Sequence, residues 1–259
     1  MPELPDVERF RRVLDVYAVG QRLTRVEVRD AGVLRGRSAD EFVKLLRRRT
    51  CIGTERRGKW LLARLDASIL LFHFGMTGSL VVEDRDVGRL DRVIFSFGAH
   101  KIAYRDLRKL RGIWIARSEE DVSSVIGNQG PDAWGLTPSG LDEILARHRA
   151  PLKSVLMNQT AIAGLGNMLS DEVLWCARVH PLRSYASLDD SDRLALSRCL
   201  QRTLRASLRA GEIPRRRAWL SSQRSRTNPR CPRCGAALAT SKIAGRTSYW
   251  CPVCQQVPD

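Results

Sequence analysis

The fold is decided most clearly at residues 231–254, CPRCGAALATSKIAGRTSYWCPVC, where sixteen residues separate two Cys-x-x-Cys pairs. Two such pairs bring four thiolates to one tetrahedral point, which suits a structural zinc ion with no open coordination position. Neither pair opens a helix in a βαβ setting, and this argues against a redox pair. We therefore predict that Cys231, Cys234, Cys251 and Cys254 hold one zinc ion, which supplies folding free energy to a ribbon too small to fold alone.

The other three cysteines carry no functional prediction. The chain has seven cysteines, and an odd number in a reducing compartment argues against a disulfide framework. Cys51, Cys176 and Cys199 lie in apolar surroundings, so we expect plain core or surface residues. The N-terminal residues MPELPDVERFRR lack the apolar segment of a signal peptide, and no run approaches the roughly 18 apolar residues of a membrane span. We expect a cytoplasmic protein without a membrane partner.

Positive charge is concentrated just before the ribbon. The formal net charge is +16, which indicates a polyanionic partner, with nucleic acid favoured over an acidic membrane surface. Between Arg198 and Arg233 a single acidic residue, Glu212, opposes eleven arginines, and this pattern predicts a surface for phosphates. Arg246 falls on the predicted turn between the two ribbon strands. From there it can reach a DNA backbone or groove, although a turn arginine is usually only solvent-exposed.

The N-terminal half predicts one helix followed by an antiparallel sandwich or barrel. Residues 6–19 place apolar side chains at helical spacing, after Pro5 and before Gly20. From Val26 to Trp114, short apolar or alternating runs are broken by Gly, Asp and Arg. The predicted strands are Arg25 to Val28, Trp60 to Leu65, Ile69 to Phe74, Arg92 to Phe97, Lys101 to Tyr104 and Gly112 to Ala116.

The C-terminal half predicts helices after a linker rich in Gly and Pro. The breakers cluster between Gly127 and Pro138. Beyond them, leucines recur at every fourth position from Leu196 to Leu208, and Gly211 follows as a stop. The predicted helices are Ser139 to His148, Leu152 to Asn158, Asn167 to Cys176 and Leu188 to Ala210.

A glycine-rich turn precedes one of these helices. Gly164 and Gly166 allow a tight turn into the helix that begins near Asn167. The free N–H groups and the dipole of a helix N-terminus favour an anion. Lys153 and Asn167 could supply side-chain donors to a phosphate there. A plain helix cap with packing glycines is an equally good interpretation of this motif by itself.

The N-terminus, Met1-Pro-Glu-Leu-Pro-Asp-Val-Glu8, carries a possible nucleophile. Removal of Met1 before a small second residue would leave Pro2 as a free secondary amine, and an α-amino group titrates near pH 8. Attack on a sugar C1′ would give an iminium, which permits strand scission by elimination. Glu3, one residue away, could protonate the ring oxygen and later act as a base.

Taken together, several of these motifs resemble the formamidopyrimidine-DNA glycosylase and endonuclease VIII family over nearly the whole chain. The motifs, in order, are Pro2-Glu3-Leu4-Pro5-Asp6-Val7-Glu8, His73-Phe-Gly-Met-Thr-Gly-Ser-Leu80, Ala163-Gly-Leu-Gly-Asn167 with Asp171-Glu172, His180-Pro181 and the two Cys-x-x-Cys pairs. The opening is more similar to the formamidopyrimidine branch, since the endonuclease VIII branch typically begins Pro-Glu-Gly.

The resemblance implies an α+β fold and a domain order. A helix and an antiparallel β-sandwich form a catalytic domain over residues 1–127, and a linker follows over 128–138. A helix-two-turn-helix domain occupies 139–225, and the zinc ribbon occupies 226–259. DNA would bind in the cleft between the domains.

The resemblance also implies an activity. The chain would be a bifunctional glycosylase and abasic-site lyase that excises oxidised or ring-opened bases from duplex DNA. A Schiff base would form on Pro2, and β- and δ-elimination would follow. Glu3 would be the acid/base, and Lys59 would be a basic residue near the phosphates and the active site. We expect a monomer acting on damaged or abasic duplex DNA at the bacterial nucleoid.

Further residues receive binding roles from the resemblance. Asn167 and Arg246 would hold the phosphates that flank the lesion. Met76, Arg108 and Leu110 would enter the base stack when the target nucleotide is everted.

The chain departs from the family pattern at three places, and the third of these leaves the lesion range open. Asp6 replaces the usual Glu, and Leu110 stands where the formamidopyrimidine branch commonly has Phe. The segment from Gly211 to Cys231 is far shorter than usual and lacks the aromatic-containing lid over an everted oxidised purine. A member with altered range, for oxidised pyrimidines, bulky adducts or abasic sites only, is therefore an alternative.

Two alternatives lie outside the enzyme class. A non-catalytic zinc protein that binds DNA damage would share the charge, the ribbon and the helices, but it has no need of Pro2 and Glu3. A zinc-ribbon RNA-binding factor is disfavoured because aromatic residues make up only 6% of the chain.

Overall fold

The computed structural model describes residues 2–83 and 88–256. Contacts between Cα atoms divide the chain into two compact units, Met1–Asn128 and Gln129–Asp259. The segment 128–138, predicted as a linker, is largely part of the second unit. In it, Gly130 N–H donates to the Gln159 carbonyl at 2.9 Å, and Ala133 N–H donates to the Ala163 carbonyl at 2.9 Å. The outer bounds of the helical and ribbon domains remain a prediction.

The first unit begins with helix α1, Leu4–Tyr17. The helix starts two residues before the predicted Asp6 because Glu3 is its N-cap, with the Glu3 N–H donating to Asp6 Oδ2 at 2.9 Å. Val7, Phe10 and Leu14 recur on one face and are buried. This face packs into the core of the first unit.

Two four-stranded antiparallel sheets follow α1. Their orders are β1-β6-β7-β5 and β2-β3-β4-β8. The strands are β1 (Leu23–Val28), β2 (Cys51–Arg57), β3 (Trp60–Leu65), β4 (Ser68–His73), β5 (Ser79–Glu83), β6 (Asp91–Phe97), β7 (His100–Arg105) and β8 (Gly112–Ala116). Phe72 of one sheet meets Phe95 of the other with ring centroids 5.9 Å apart, and Phe10 of α1 lies 4.5 Å from Phe74. The predicted antiparallel sheets with an N-terminal helix are confirmed.

Two strands and two helices of this unit escape the sequence patterns. Strands β2 and β5 are sheet edges, and β2 is polar from Thr54 to Arg57, so it lacks the alternation that marks a half-buried strand. Helices α2 (Ala39–Leu46) and α3 (Glu119–Ile126) have eight residues each. Their N-terminal signals are Ser38 and Ser118, whose side chains accept backbone N–H groups of the first turn.

The second unit contains four helices and a hairpin. The helices are α4 (Pro138–Ala146), α5 (Leu152–Met157), α6 (Asn167–Ala177) and α7 (Asp190–Ala210), and the strands are β9 (Ala239–Ile243) and β10 (Arg246–Trp250). The predicted leucine stripe of α7 is buried. Ala244 and Gly245 link the two strands with φ of 48° and 72°, the left-handed pair typical of a tight hairpin turn.

The structure corrects one expectation about the cysteines. Cys176 on α6 and Cys199 on α7 form a disulfide, with their Cα atoms 5.8 Å apart. The two residues are separated by 23 positions in the chain, and only the packing of α6 against α7 brings them together. Cys51 is a buried free cysteine, as expected.

Candidate functional site

The start of α1 places a buried carboxylate next to Pro2. Pro2 is half-buried immediately before the helix, and Glu3 is fully buried at the N-cap. The helix dipole favours negative charge at this end. The Asp6 carboxylate holds the Glu3 backbone, so the shorter side chain at this position still makes the capping contact. Met1, whose removal the predicted chemistry requires, lies outside the described residues.

An arginine connects α1 to the turn that carries Lys59. Arg56 Nε lies 3.2 Å from Glu8 Oε2, and Arg56 Nη1 donates to the Gly58 carbonyl at 3.1 Å. Burial raises the pKa of Glu8, but hydrogen bonds and positive charge from Arg11 and Arg56 lower it by a larger amount. The net pKa therefore lies below its ordinary value. Glu8 is therefore ionised at neutral pH. Gly58 has a φ of 58°, which allows the sharp turn from β2 to the half-buried Lys59.

His73, at the end of β4, shares the surroundings of Lys59. Burial lowers the pKa of His73 to about 4, and the positive charges of Arg111 and Lys59 lower it too. The ring is therefore neutral at neutral pH, and its Nδ1 accepts the Gly75 N–H at 3.0 Å. The sequence motif contains His73, but no pattern assigned it a role. It provides a neutral polar group beside Lys59 without adding positive charge.

The three predicted stack-entering residues lie on two adjoining loops. Arg108 Nη1 lies 3.0 Å from Met76 Sδ, and the Arg108 N–H donates to Thr77 Oγ1 at 3.0 Å. Asp106 accepts from Thr77 at 2.5 Å and from the Arg108 N–H at 3.1 Å, and it ties the loops together. Leu110 is 51% exposed. The structure thus brings Met76 and Arg108 into contact and leaves Leu110 facing solvent.

Asn167 holds the backbone of the residue that follows Arg246. Asn167 is the first residue of α6, and its Nδ2 donates to the Thr247 carbonyl at 3.0 Å. Arg246, directly before Thr247, is exposed at the start of β10. An amide nitrogen carries two hydrogens, so Asn167 keeps one hydrogen for an anion while it holds the hairpin. Phosphate binding is the role predicted for this pair, and we call Asn167 and Arg246 the phosphate clamp for that predicted role.

The structure contradicts a phosphate contact by Lys153. Its side chain is fully buried, and Nζ pairs with Asp171 Oδ1 at 2.5 Å and contacts the Ser248 hydroxyl. An ammonium group without access to solvent cannot meet a phosphate at the surface. Lys153 instead joins α5 and α6 to the hairpin.

Asp171 is the centre of this buried network. Its Oδ2 accepts the Tyr249 N–H at 3.1 Å and contacts the guanidinium of Arg224. Arg224 also donates through Nη2 to the Thr247 carbonyl at 3.0 Å, the same oxygen that Asn167 contacts. Asp171 therefore positions the strand that carries Arg246. The sequence motif included Asp171, but its partners lie far along the chain.

The four ribbon cysteines form a site for one metal ion. Their sulfur atoms all lie within 4.8 Å of one another. Two of the pairs, Cys231 with Cys254 and Cys234 with Cys251, are separated by 3.9 and 3.5 Å. A tetrahedral zinc–thiolate site requires sulfur atoms about 3.8 Å apart, so the donor set fits zinc. Trp175 Nε1 also donates to Cys231 Sγ at 3.3 Å and joins the site to α6.

Family models match the chain in the order that the structure displays. The formamidopyrimidine-DNA glycosylase N-terminal domain matches residues 1–113, and the H2TH domain of that enzyme matches residues 129–217. A zinc finger found in FPG and IleRS matches residues 229–257. The chain belongs to the formamidopyrimidine-DNA glycosylase family. The resemblance inferred from the motifs is confirmed, and with it the enzyme class, a DNA glycosylase of base excision repair, and the zinc cofactor.

Individual relatives agree over the full length. The formamidopyrimidine-DNA glycosylases of Symbiobacterium thermophilum and of a Roseiflexus species are each 34% identical to this chain. The matches cover 100% and 99% of this chain and 90% and 100% of those proteins. Among solved structures, Lactococcus lactis Fpg with abasic-site DNA is 29% identical, with a TM-score of 0.86. The same enzyme with N7-benzyl-Fapy-dG DNA is 30% identical, also with a TM-score of 0.86, and each match covers 99% of this chain and all of that one.

No helix in the described part of this family member is long and apolar enough to cross a membrane.

The arginine-rich stretch of this chain, from Arg198 to Arg233, does not form one continuous surface. Arg224 is engaged by Asp171, and Arg230 donates to the Gly235 carbonyl at 3.1 Å. Arg233 stacks over Trp175, with its Cζ 4.5 Å from the ring centroid. These arginines hold the ribbon together, whereas those of α7 face solvent. The sequence-based prediction of a single phosphate surface is therefore too broad.

The shortened segment Gly211 to Cys231 packs against α6. Leu220 and Ser221 donate their N–H groups to the two Glu172 carboxylate oxygens at 3.1 and 2.9 Å. Burial raises the pKa of Glu172 to about 7, although these two hydrogen bonds lower it. Leu220 is buried. The segment thus serves as a packed connection to the zinc ribbon of this family member.

Proposed function

We propose that this chain excises damaged bases from duplex DNA and then cleaves the strand, with the Pro2 nitrogen as nucleophile. One observation carries the proposal: Pro2 directly precedes a fully buried Glu3 that the α1 N-terminus holds in place. Attack of the neutral Pro2 nitrogen on C1′ forms the N–C1′ bond, and the bond from C1′ to the base breaks with its electron pair going to the base. The proton lost from the Pro2 nitrogen balances the proton that the departing base takes up. Glu3 protonates the ring oxygen, and the sugar opens to an iminium.

Elimination follows from the electron demand of this iminium. Loss of a proton from C2′ breaks the bond from C3′ to its phosphate oxygen, which is β-elimination. A second elimination releases the 5′ phosphate, and hydrolysis of the iminium frees the enzyme. Lys59, held near α1 through Arg56 and Gly58, supplies positive charge to the departing phosphates, and the nearby His73 ring is neutral at neutral pH.

The proposed DNA contacts use the remaining residues. The phosphate clamp holds backbone phosphates by charge and hydrogen bonding, and these contacts fix position without reading sequence. Met76, Arg108 and Leu110 fill the space of the everted nucleotide. The L. lactis enzyme was solved with abasic-site DNA and with a modified Fapy-dG, which supports damaged duplex DNA as the substrate. We expect a monomer that acts at the nucleoid in the cytoplasm.

Borohydride trapping tests the nucleophile. Reduction of the iminium on abasic-site duplex should link the enzyme covalently to DNA, and peptide mapping should find the link in residues 2–9. A form that retains Met1 should not trap, whereas Lys59→Ala, as the control, should trap. If Pro2→Gly traps at full yield with the link at Lys59, the nucleophile is Lys59. Absence of trapping in the Met1-free enzyme would favour the non-catalytic DNA-damage-binding alternative.

The lesion range is a separate proposal. We infer a range shifted away from 8-oxoguanine, towards oxidised pyrimidines, bulky adducts or abasic sites, because the segment that would form a lid is short and packed on Glu172. Single-turnover excision on a lesion panel tests this inference. If 8-oxoguanine opposite cytosine is cleaved as fast as every other lesion, the inference fails while the lyase chemistry stands.

A further inference from the structure

A groove of about 580 Å³ runs along α7 in the second unit. Arg198, Arg202, Arg205 and Arg209 line it, spaced four, three and four residues apart. This spacing places them in one stripe on the helix. All four are exposed. Within the described residues, Arg198, Arg205 and Arg209 form no ion pair, so their charge is uncompensated.

The groove also has an apolar component. Leu194 lines it with 48% of its surface exposed, and Pro138 and Ala206 add further carbon surface. Gln201 Nε2 donates to the Leu136 carbonyl at 2.7 Å, and this bond fixes the wall at the start of α4. The opposite face of α7 is buried in the unit. The groove therefore presents a formed surface in which a stripe of guanidinium groups continues, at its N-terminal end, to an exposed leucine.

We propose that this groove binds an acidic segment of a protein partner. Carboxylates match the guanidinium groups in charge and in bidentate geometry, and an apolar side chain of the same segment covers Leu194. A DNA backbone matches only the charge, because its phosphates and sugars bring no apolar side chain to a concave apolar surface. The combination of the two features favours the peptide.

The length of the stripe sets the size of the segment. The helix from Leu194 to Arg209, fifteen rises of about 1.5 Å, spans about 22 Å. An extended peptide covers this distance with about seven residues. The expected partner segment is therefore short, with several acidic residues and one or two large apolar ones.

Fluorescence anisotropy with a labelled synthetic peptide tests the proposal. The probe is a short aspartate-rich peptide with two leucines, and its comparison peptide has serines in place of the leucines at the same charge. Arg198→Glu with Arg205→Glu should weaken binding of the probe about tenfold or more at physiological salt. The matched control is Arg215→Glu with Arg217→Glu, which makes the same charge change on an exposed segment outside the groove.

A second pair of variants tests the apolar contact. Leu194→Ser should weaken the leucine peptide several-fold and leave the serine peptide unchanged. Leu182→Ser, at a residue of similar exposure (51%) outside the groove, should change neither. Zinc content and circular dichroism establish that each variant is folded.

Three results would overturn the proposal. If both double Arg→Glu variants lose the same affinity for the probe peptide, the binding reflects only long-range attraction to a basic protein. Equal binding of the two peptides would remove the apolar contact. If undamaged duplex displaces the probe, and Arg198→Glu with Arg205→Glu loses duplex affinity to the same extent, the groove is a DNA surface.

Discussion

Replacement of Lys153 distinguishes a buried structural lysine from a phosphate-binding one. Its ammonium is fully buried between Asp171 and Ser248. Lys153→Met keeps most of the side-chain volume and removes the charge. Asp171 then retains Arg224 and the Tyr249 N–H, so we expect a moderate loss of about 1–3 kcal/mol in the free energy of unfolding.

Replacement of Asp171, the partner of Lys153, should lower the free energy of unfolding by a larger amount. Asp171→Leu leaves the Lys153 ammonium buried without a countercharge, and breaking a buried pair in this way costs about 3–5 kcal/mol. With a urea m-value of about 2 kcal/mol/M, the midpoint should fall by roughly 1.5–2.5 M. The double variant should recover only part of this loss, because it removes the buried Lys153 charge but still leaves Arg224 and the Tyr249 N–H without the Asp171 carboxylate.

Two measurements on the same proteins check this prediction. Urea unfolding of the zinc-loaded protein, followed by circular dichroism and tryptophan fluorescence, gives the midpoints. Binding to abasic-site duplex over a salt series gives the slope of log affinity against log salt, which should be unchanged in Lys153→Met. A midpoint within about 0.3 M of the wild type, together with a slope reduced by about 0.9, would refute the structural role and restore a phosphate contact.

Three further predictions concern the second unit. Cys251→Ser should abolish stoichiometric zinc and the ordered hairpin, measured by metal analysis and NMR; full zinc content in the variant would contradict the four-cysteine site. Glu172 has a folded-state pKa of about 7 against 4.5 in an unfolded chain, so the folded state binds the extra proton between these values. The free energy of unfolding of the wild type should therefore fall by up to about 3 kcal/mol relative to that of Glu172→Gln as pH rises through that window, measured by urea unfolding at several pH values. If the difference between the two proteins does not change with pH, the raised pKa of Glu172 is contradicted. Reduction of the Cys176–Cys199 disulfide should lower the free energy of unfolding by about 3 kcal/mol, because the unfolded chain gains loop entropy. Dithiothreitol should therefore lower the urea midpoint of the wild type and leave that of Cys176→Ser unchanged.

Local patterns were sufficient for much of the fold. The leucine repeat from Leu196 to Leu208 predicted α7 because one helix face is buried throughout, and strands β3 and β8 have the predicted bounds. Strand β2 escaped prediction because it is polar from Thr54 to Arg57 and lacks the alternation of a half-buried strand. Short helices such as α2 carry too few turns for a period to emerge.

The candidate site also contains residues that the sequence identifies and residues that only the structure explains. Pro2, Glu3 and the four ribbon cysteines are recognisable in the chain itself, because the roles proposed for them depend on spacing over a few residues and on the order of motifs. Lys153 is different. A lysine near a glycine-rich turn suits a phosphate equally well on paper, and only the approach of Asp171 and Ser248 decides that it is buried.

The sequence by itself determined the family, the zinc ligands, the order of most helices and strands and the candidate nucleophile, since each depends on local periodicity or fixed spacing. The tertiary structure decided which charges pair, which cysteines bond and which arginines remain exposed on α7. Those outcomes depend on contacts between residues up to 95 positions apart, as for Lys153 and Ser248. Sequence patterns do not reveal these contacts, because the packing of the helices and the hairpin creates them.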